Sequence, residues 1–239
     1  MINRLTSNQN NEIQQLFRSV NGGDGFTQDR VKLLTAQFEP IILPADSERI
    51  EQFALCDSSG NKNGMYAPRW LCHLVGLRHR AVEVGLCTAS GLVVLQIRSS
   101  TKSDWAGLPD MAVSGHLVGD AEFDAAAMQE VEEEIGLSKS RASEWFREGK
   151  LTRLGNPYLS LDIEANREIP YFNREVRQIF TGTLTAAGLD AISFNDGEVG
   201  GLMLVTQTTA WEMLTRGEIA SGMRYTLPRY LEWLERKAL

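Results

Sequence analysis

A short acidic helix predicted near the middle of the chain is the feature that most constrains its fold. Residues 124–135 form the strongest helical pattern in the sequence, and Gly136 follows as a typical helix terminator. At 3.6 residues per turn, the carboxylates of Glu130, Glu133 and Glu134 stand on one face of this helix. Each such pair of like charges costs on the order of 0.2–0.5 kcal/mol, so something must compensate for them.

Two interpretations of this acidic face remain open from the residues alone. The three carboxylates could be a solvated surface that an arginine or lysine elsewhere in the chain relieves. They could also hold a hard divalent cation, because clustered carboxylate oxygens are the ligands that Mg²⁺ and Mn²⁺ prefer. The second interpretation predicts a metal site on the helix.

The composition limits the class of protein. The chain has 239 residues and a formal net charge of −7, so we expect neither a nucleic-acid polymer nor an anionic membrane as its partner. Cys56, Cys72 and Cys87 are widely spaced and lack metal-binding spacing, which predicts reduced thiols. With no apolar stretch long enough to span a membrane and no signal sequence, we expect a cytoplasmic protein.

Predicted strands and helices are interleaved along the chain, which indicates an α/β or α+β fold. Residues 1–64 are predicted to be a small, mainly helical accessory segment, with a third helix running through Phe53 and a polar linker at 57–64. Residues 65–239 are predicted to form the main domain. Its predicted elements are a β-hairpin at 81–98, strands at 111–114, 151–155, 175–184 and 199–205, and helices at 124–135, 208–215 and 226–237.

The segment 115–137 resembles the Nudix box, G-x5-E-x7-R-E-U-x-E-E-x-G-U, where U is aliphatic. Gly115, Glu130-Val131, Glu133-Glu134 and Gly136-Leu137 fall in register without a gap. Two positions depart from the pattern, because Ala121 replaces the first glutamate and Gln129 replaces the arginine. In the family this arginine orients the glutamates, so Gln129 could weaken or retune the site.

The resemblance implies a Nudix α/β/α sandwich with a mixed sheet, and a site that binds Mg²⁺ or Mn²⁺. It implies that the metal is held by the backbone carbonyl of Gly115 and by Glu130, Glu133 and Glu134. Glu133 and Glu134 would serve catalysis, together with a loop acid at Glu198. Glu198 could equally be an acid of a surface turn.

Further segments of the chain resemble the Nudix branch related to isopentenyl-diphosphate isomerase. His79, His116 and Glu175 match three positions of the metal site of that isomerase, although they could instead form hydrogen bonds within the fold. Ser114 stands where the isomerase has its catalytic cysteine, and a serine hydroxyl is a poor proton donor to an alkene. Asn173 replaces one of the isomerase's glutamates. Since the chain keeps the Glu-Glu pair of the box, hydrolysis is the favoured activity.

We therefore expect a Mg²⁺-dependent pyrophosphohydrolase that cleaves a diphosphate linkage in a nucleoside, cofactor or other organic diphosphate. Arg98 and Lys102 are the predicted phosphate-binding residues, although cations at the end of an exposed strand are common. The alternatives are a catalytically weak Nudix-like binding or regulatory domain and an isomerase-like enzyme. The chain could form a homodimer, but nothing in the sequence decides this.

Overall fold

The computed structural model describes residues 5–45, 49–102, 105–194 and 197–238. The chain divides into two compact units. The first unit comprises residues up to Ala81 together with His116–Ala121 and Pro157–Arg177. The second comprises Val82–Gly115, Glu122–Asn156 and the residues from Gln178 onward. Each unit is described by itself.

The first unit begins with two amphipathic helices, α1 (Ser7–Val20) and α2 (Gln28–Ile42). Thr6 caps α1 in a reciprocal capping box with Gln9, and the Thr27 side chain caps α2. Their apolar stripes pack into one core with strands and helices that follow. This core includes Ile13, Val20, Val31, Leu34, Phe38, Phe53, Leu55, Leu71 and Phe172. The predicted helical N-terminal segment is therefore confirmed.

The third helix was predicted to start at residue 46 or 47, which lies outside the described residues. Residues 49–50 are helical, but the predicted continuation to Phe53 is wrong, because Phe53 lies in strand β1 (Gln52–Cys56). Phe53, Ala54, Leu55 and Cys56 are all buried, so the run is apolar on both faces of the strand. A short continuous apolar run does not distinguish a buried strand from a buried helix by its periodicity.

The predicted linker at 57–64 is also wrong. The Asp57 carboxylate accepts hydrogen bonds from the backbone N–H groups of Ser59 (2.8 Å) and Asn61 (3.0 Å), which shapes a tight turn. Strand β2 (Lys62–Pro68) starts directly after this turn and pairs antiparallel with β1. The assignment of residues 1–64 to an accessory role stays a prediction.

Helix α3 (Arg69–Val75) follows β2 in the first unit, and its side chains from Trp70 onward are buried. Strand β3 (His79–Thr88) then pairs with β1, with Leu55 opposite His79. A parallel bridge joins Phe53 to Gly119, whereas the pairing of β1 with β2 and β3 is antiparallel. Strands β3, β6 (Val113–His116), β7 (Thr152–Glu164) and β8 (Tyr171–Leu184) contribute residues to both units.

The second unit centres on strand β4 (Val93–Arg98), which forms the predicted hairpin with β3. Strand β4 also pairs antiparallel with β5 (Pro109–Met111) and with β9 (Val199–Val205). The remaining helices are α4 (Phe123–Ile135), α5 (Ala142–Trp145), α6 (Ala186–Asp190), α7 (Gln207–Arg216) and α8 (Met223–Ala238). One core includes Val93, Leu95, Met111, Met213, Leu227, Tyr230 and Leu231.

These elements confirm the predicted α/β class with a mixed sheet. The predicted helix at 124–135 corresponds to α4, and the two later predicted helices correspond to α7 and α8. Cys56, Cys72 and Cys87 are free and buried. Among the described residues, no helix is long and apolar enough to cross a membrane.

Candidate active site

Helix α4 carries the predicted metal-binding glutamates and is fixed at its C-terminal end. Gly136 adopts a left-handed conformation (φ 72°), and its N–H donates to the carbonyl of Glu132. A side chain at Gly136 would meet the Ser193 hydroxyl at 2.2 Å, so the turn after the helix is closely packed. This packing holds the C-terminal end of the helix in place.

Glu134 is the buried member of the acidic face, with only 4% of its surface exposed. Its Oε2 accepts hydrogen bonds from Gln96 Nε2 (3.2 Å) and from the backbone N–H of Ser114 (3.3 Å). Burial, followed by the charges of Glu130 and Glu198, raises the pKa of Glu134 well above its ordinary value. The protein therefore holds Glu134 in an environment that strongly disfavours an uncompensated negative charge.

Glu130 lies directly against Gly115 on strand β6. A Cβ atom built on Gly115 would lie 2.1 Å from the Glu130 carboxyl carbon and 2.3 Å from its Oε2. No residue with a side chain fits at this position unless Glu130 moves. The conformation of Gly115 is ordinary, so the requirement for glycine comes from this close approach.

Glu133 has different surroundings from Glu130 and Glu134. It is exposed, and its Oε1 accepts a hydrogen bond from Gln129 Nε2 at 2.9 Å, one helical turn earlier. Gln129, which stands at the position of the family's arginine, therefore contacts a box glutamate as a neutral donor. The predicted roles of Glu133 in metal binding and catalysis stay predictions.

The predicted phosphate-binding residues lie in ion pairs. Arg98 Nη1 lies 2.9 Å from Asp110 Oδ2, and Lys102 Nζ pairs with the Glu198 carboxylate. No pattern in the sequence indicated a role for Asp110. Asp110 is buried and is one of the charges that raise the pKa of Glu134. Arg98 and Lys102 thus pair with Asp110 and Glu198, two acids whose charges act on Glu134.

Three further carboxylates of the second unit act on the buried Glu134. The charges of Glu130, Glu198 and Asp110 all oppose the ionisation of Glu134. Carboxylates crowded in this way repel one another unless a cation or a proton compensates for them. Oxygen donors of this kind suit Mg²⁺ or Mn²⁺.

A second group of ionisable side chains lies in the first unit. The chain has three histidines. All of them, His73, His79 and His116, lie with Glu175 in a cluster whose ligand atoms are within 4.8 Å of one another. His116 Nε2 is 2.8 Å and His79 Nε2 is 3.8 Å from Glu175 Oε1. Phe53 stacks on His79 and His116 at ring-centroid distances of 4.9 Å.

The protonation states of this cluster suit a metal ligand set. Burial lowers the pKa of His79 to about 3 and the pKa of His73 well below its ordinary value, so both rings are neutral at pH 7. His79 Nδ1 lies 2.9 Å from the carbonyl of Leu77, which fixes the proton on Nδ1 and leaves the Nε2 lone pair free for a cation. The Nε2 atoms of His73 and His79 have no hydrogen-bond partner among the described residues.

Glu175 remains ionised in this cluster. Burial opposes its charge, but Arg177 and His116 overcome this effect and keep the pKa of Glu175 well below its ordinary value. Arg177 Nε donates to Glu175 Oε2, and Oε1 faces the histidines. The sequence indicated His79, His116 and Glu175 but missed His73. His73 lies in helix α3, six residues before His79, and this nearness in sequence was the available signal.

Comparisons with known proteins were consistent with the Nudix box. No family model matches the chain. A segment of 89 residues, 36% of this chain, is 37% identical to Nudix hydrolase 3 of Arabidopsis thaliana. The match spans only 11% of the length of that relative.

One solved structure supports the fold. DR0079 from Deinococcus radiodurans superposes with a TM-score of 0.54 and 17% identity, covering 78% of this chain and 98% of that one. The MutT protein of Methanosarcina mazei superposes with a TM-score of 0.46 and 15% identity, over 67% and 95% of the two chains. The sequence match supports the family, and the first of these structures supports the fold. The resemblance of this chain to the Nudix hydrolases, predicted from residues 115–137, is therefore confirmed.

Proposed function

We propose that the chain is a Mg²⁺-dependent pyrophosphohydrolase that cleaves the diphosphate linkage of a small nucleoside, cofactor or other organic diphosphate. The observation that supports this most is the position of Glu130 and Glu134. One carboxylate lies against the backbone of Gly115, and the other is buried beside Glu198 and Asp110. A divalent ion held by such oxygens neutralises charge on a diphosphate and activates water for attack on phosphorus.

The side chains of the site would then divide the remaining tasks. Gln96 and the Ser114 N–H hold Oε2 of Glu134, which leaves its Oε1 as the oxygen available to a cation. Glu198 would accept the proton of the attacking water at its carboxylate, and its pairing with Lys102 would hold it in place. In this proposal Gly115, Glu130, Glu133 and Glu134 bind the metal, and Glu133, Glu134 and Glu198 serve catalysis.

Arg98 and Lys102 would bind the phosphate groups of the substrate. Each already pairs with an acid, Asp110 and Glu198 respectively. A phosphate would therefore have to share these cations with the acids. The ion pairs hold both side chains in position before the substrate arrives, which reduces the entropic cost of binding.

The test is a panel of nucleoside, dinucleotide, thiamine and prenyl diphosphates assayed with and without Mg²⁺. We expect Mg²⁺-stimulated release of phosphate or pyrophosphate from at least one substrate, and its loss in Glu134→Gln. Glu132→Gln is the matched control, since it changes the same charge on the exposed side of the same helix. Equal turnover by both variants would contradict the proposed role of Glu134.

A second candidate function is isomerisation of a prenyl diphosphate, which is favoured by the cluster of three histidines and Glu175. Ser114 argues against it, because its hydroxyl is a much weaker acid than a thiol. Migration of the double bond in a prenyl diphosphate, without phosphate release, would favour the isomerase. Loss of this activity in His116→Ala and its persistence in Glu134→Gln would separate the two sites.

A third candidate is a binding or regulatory domain with weak turnover, for which the neutral Gln129 is the supporting feature. Binding of a diphosphate without turnover of any compound on the panel would favour it. Restoration of turnover by Gln129→Arg would show that the glutamine at this position limits catalysis. The cytoplasmic location and the homodimer also stay predictions.

A further inference from the structure

Two arginines, Arg78 and Arg174, lie together beside a tight turn in the first unit, and each directly precedes a residue of the histidine cluster. Gly22 in this turn has a φ of +78° and packs against both. A Cβ atom at Gly22 would lie 2.8 Å from Arg78 Nη2 and 3.1 Å from Arg174 Cδ. The Arg174 side chain and the Arg78 guanidinium therefore both pack against Gly22.

Arg78 is the buried member of this pair, with 4% of its surface exposed, and its terminal nitrogens have partners. Its Nη1 donates to Asp24 Oδ1 at 2.9 Å, and its Nη2 donates to the carbonyl of Asn21 at 3.2 Å. Asp24 Oδ2 also accepts a hydrogen bond from Asn21 Nδ2 at 3.0 Å. The Asp24 carboxylate is thus already occupied by Arg78 and Asn21.

Arg174 forms no comparable ion pair with an acid in the part of the chain that the structure describes. Its guanidinium lies 5.3 Å above the ring of Phe17, which stacks on Phe172 at 4.0 Å. Its Nε is buried and has no hydrogen-bond partner among the described residues. The charges of Arg78 and Asp24 both act on Arg174. Two guanidinium groups thus share one carboxylate.

We propose that Arg174 is an anion-binding residue that takes the oxyanion of a phosphate group, with Arg78 supplying additional positive potential. A guanidinium stacked on an aromatic ring keeps its N–H groups in its own plane, where they can donate to two oxygens of a phosphate. In the described part of the chain Asp24 is the carboxylate that acts on both arginines, and a phosphate at the terminal nitrogens of Arg174 would supply a second negative charge. Because the protein carries a net charge of −7, its overall field does not attract anions, so binding must come from this local arrangement.

The proposal does not depend on the proposed hydrolysis, and it is tested with inorganic phosphate on the full chain. The first readout is the ¹H–¹⁵N resonance of the Arg174 Nε–H, assigned by its loss in Arg174→Gln. We expect this resonance to shift and saturate with millimolar phosphate, and to stay in place with acetate or chloride at equal ionic strength. The absence of a saturable shift, or an equal shift with acetate, would overturn the proposal.

The second readout compares variants by calorimetric titration with phosphate. Arg174→Gln should weaken binding about tenfold or more, because a charge-assisted hydrogen bond is lost. Arg174→Lys keeps the charge but loses the planar pair of donors, so we expect intermediate binding. Arg30→Gln, an exposed arginine of α2, is the control for net charge and should bind like the wild type. Equal phosphate affinity in the wild type and Arg174→Gln would overturn the proposal. If Arg174→Gln fails to fold, the Nε–H resonance is assigned by its loss in Arg174→Lys, and its response to phosphate in the wild type decides.

Discussion

Gln96 donates a hydrogen bond from Nε2 to Oε2 of Glu134 at 3.2 Å, and both side chains are buried. The bond joins strand β4 to helix α4, so the orientation of a predicted metal ligand is set by a residue outside the box. We predict that Gln96→Leu raises the Mg²⁺ concentration needed for half-maximal activity, on the order of tenfold, because residues that orient metal ligands have effects of this size.

The control for this prediction is Gln178→Leu. Gln178 is also buried, but its side-chain amide donates to backbone carbonyls, including that of Ile179 at 2.9 Å. Both variants lose a buried amide, and we expect only Gln96→Leu to change the Mg²⁺ dependence. A Mg²⁺ titration of activity, with the melting temperature measured in parallel, separates this effect from a general loss of stability.

Because Gly115 and Glu130 lie so close together, we predict that a side chain at Gly115 lowers activity. In Gly115→Ala the new methyl group would lie 2.1 Å from the Glu130 carboxyl carbon, so Glu130 must leave its position. We expect activity to fall at least about tenfold through misplacement of a group at the reacting centre. Gly201→Ala in β9 is the control, because nothing lies within 4 Å of its added methyl group. Full activity in Gly115→Ala would contradict the assignment of Glu130 to the site.

Glu148 gives a prediction about stability and pH. Burial opposes its charge, but hydrogen bonds from Lys237 and Thr183 lower the pKa of Glu148 from 4.5 to about 2. Because the folded-state pKa is depressed, the stabilisation is present above pH 4.5 and is lost as the pH falls toward about 2. We therefore expect Glu148→Gln to destabilise the protein at neutral pH and to have progressively less effect in this acidic range.

Urea unfolding at a series of pH values measures this difference in the free energy of unfolding. Glu218→Gln, an exposed glutamate in the same unit, provides the matched change of charge and should have little effect at any pH. A constant difference between wild type and Glu148→Gln from neutral to acidic pH would show that Glu148 acts by packing rather than by its charge.

The histidine cluster predicts stabilisation by a transition metal. Ligand at about 100 times its dissociation constant stabilises a folded protein by roughly 2.7 kcal/mol, so Zn²⁺ or Mn²⁺ should raise the melting temperature of the wild type. In His116→Ala and Glu175→Gln this increase should be largely lost, because each variant removes a donor from the cluster. An unchanged increase in both variants would place the metal elsewhere.

The sequence predicted the acidic helix because its evidence was local. The pattern of apolar residues and the terminal Gly136 are set within one segment, and α4 begins within one residue of the predicted start. The box then placed Glu130 and Gly115 in a common site, which their close approach supports. By contrast, a role for Asp110 depends on pairing between β4 and β5, which no local pattern reveals.

The errors occurred where burial on both faces or long-range contact decided the outcome. Phe53 was assigned to a helix because a four-residue apolar run has no diagnostic period. His73 was missed because only the folded chain brings α3, β3, β6 and β8 together. The polar stretch at 57–64 looked like a linker because turns and linkers share the same residues, and the side-chain bonds of Asp57 distinguish them.

Strand β1 limits how far the protein can be shortened from its N-terminus. A chain that begins at residue 65 would lack all of β1 and the start of β2. This truncation would remove the strand that pairs with His79 and the Phe53 ring that stacks on His79 and His116. The N-terminal segment therefore covers the histidine cluster, and trimming it would expose the His79 ring to water and return the pKa of His79 toward its ordinary value.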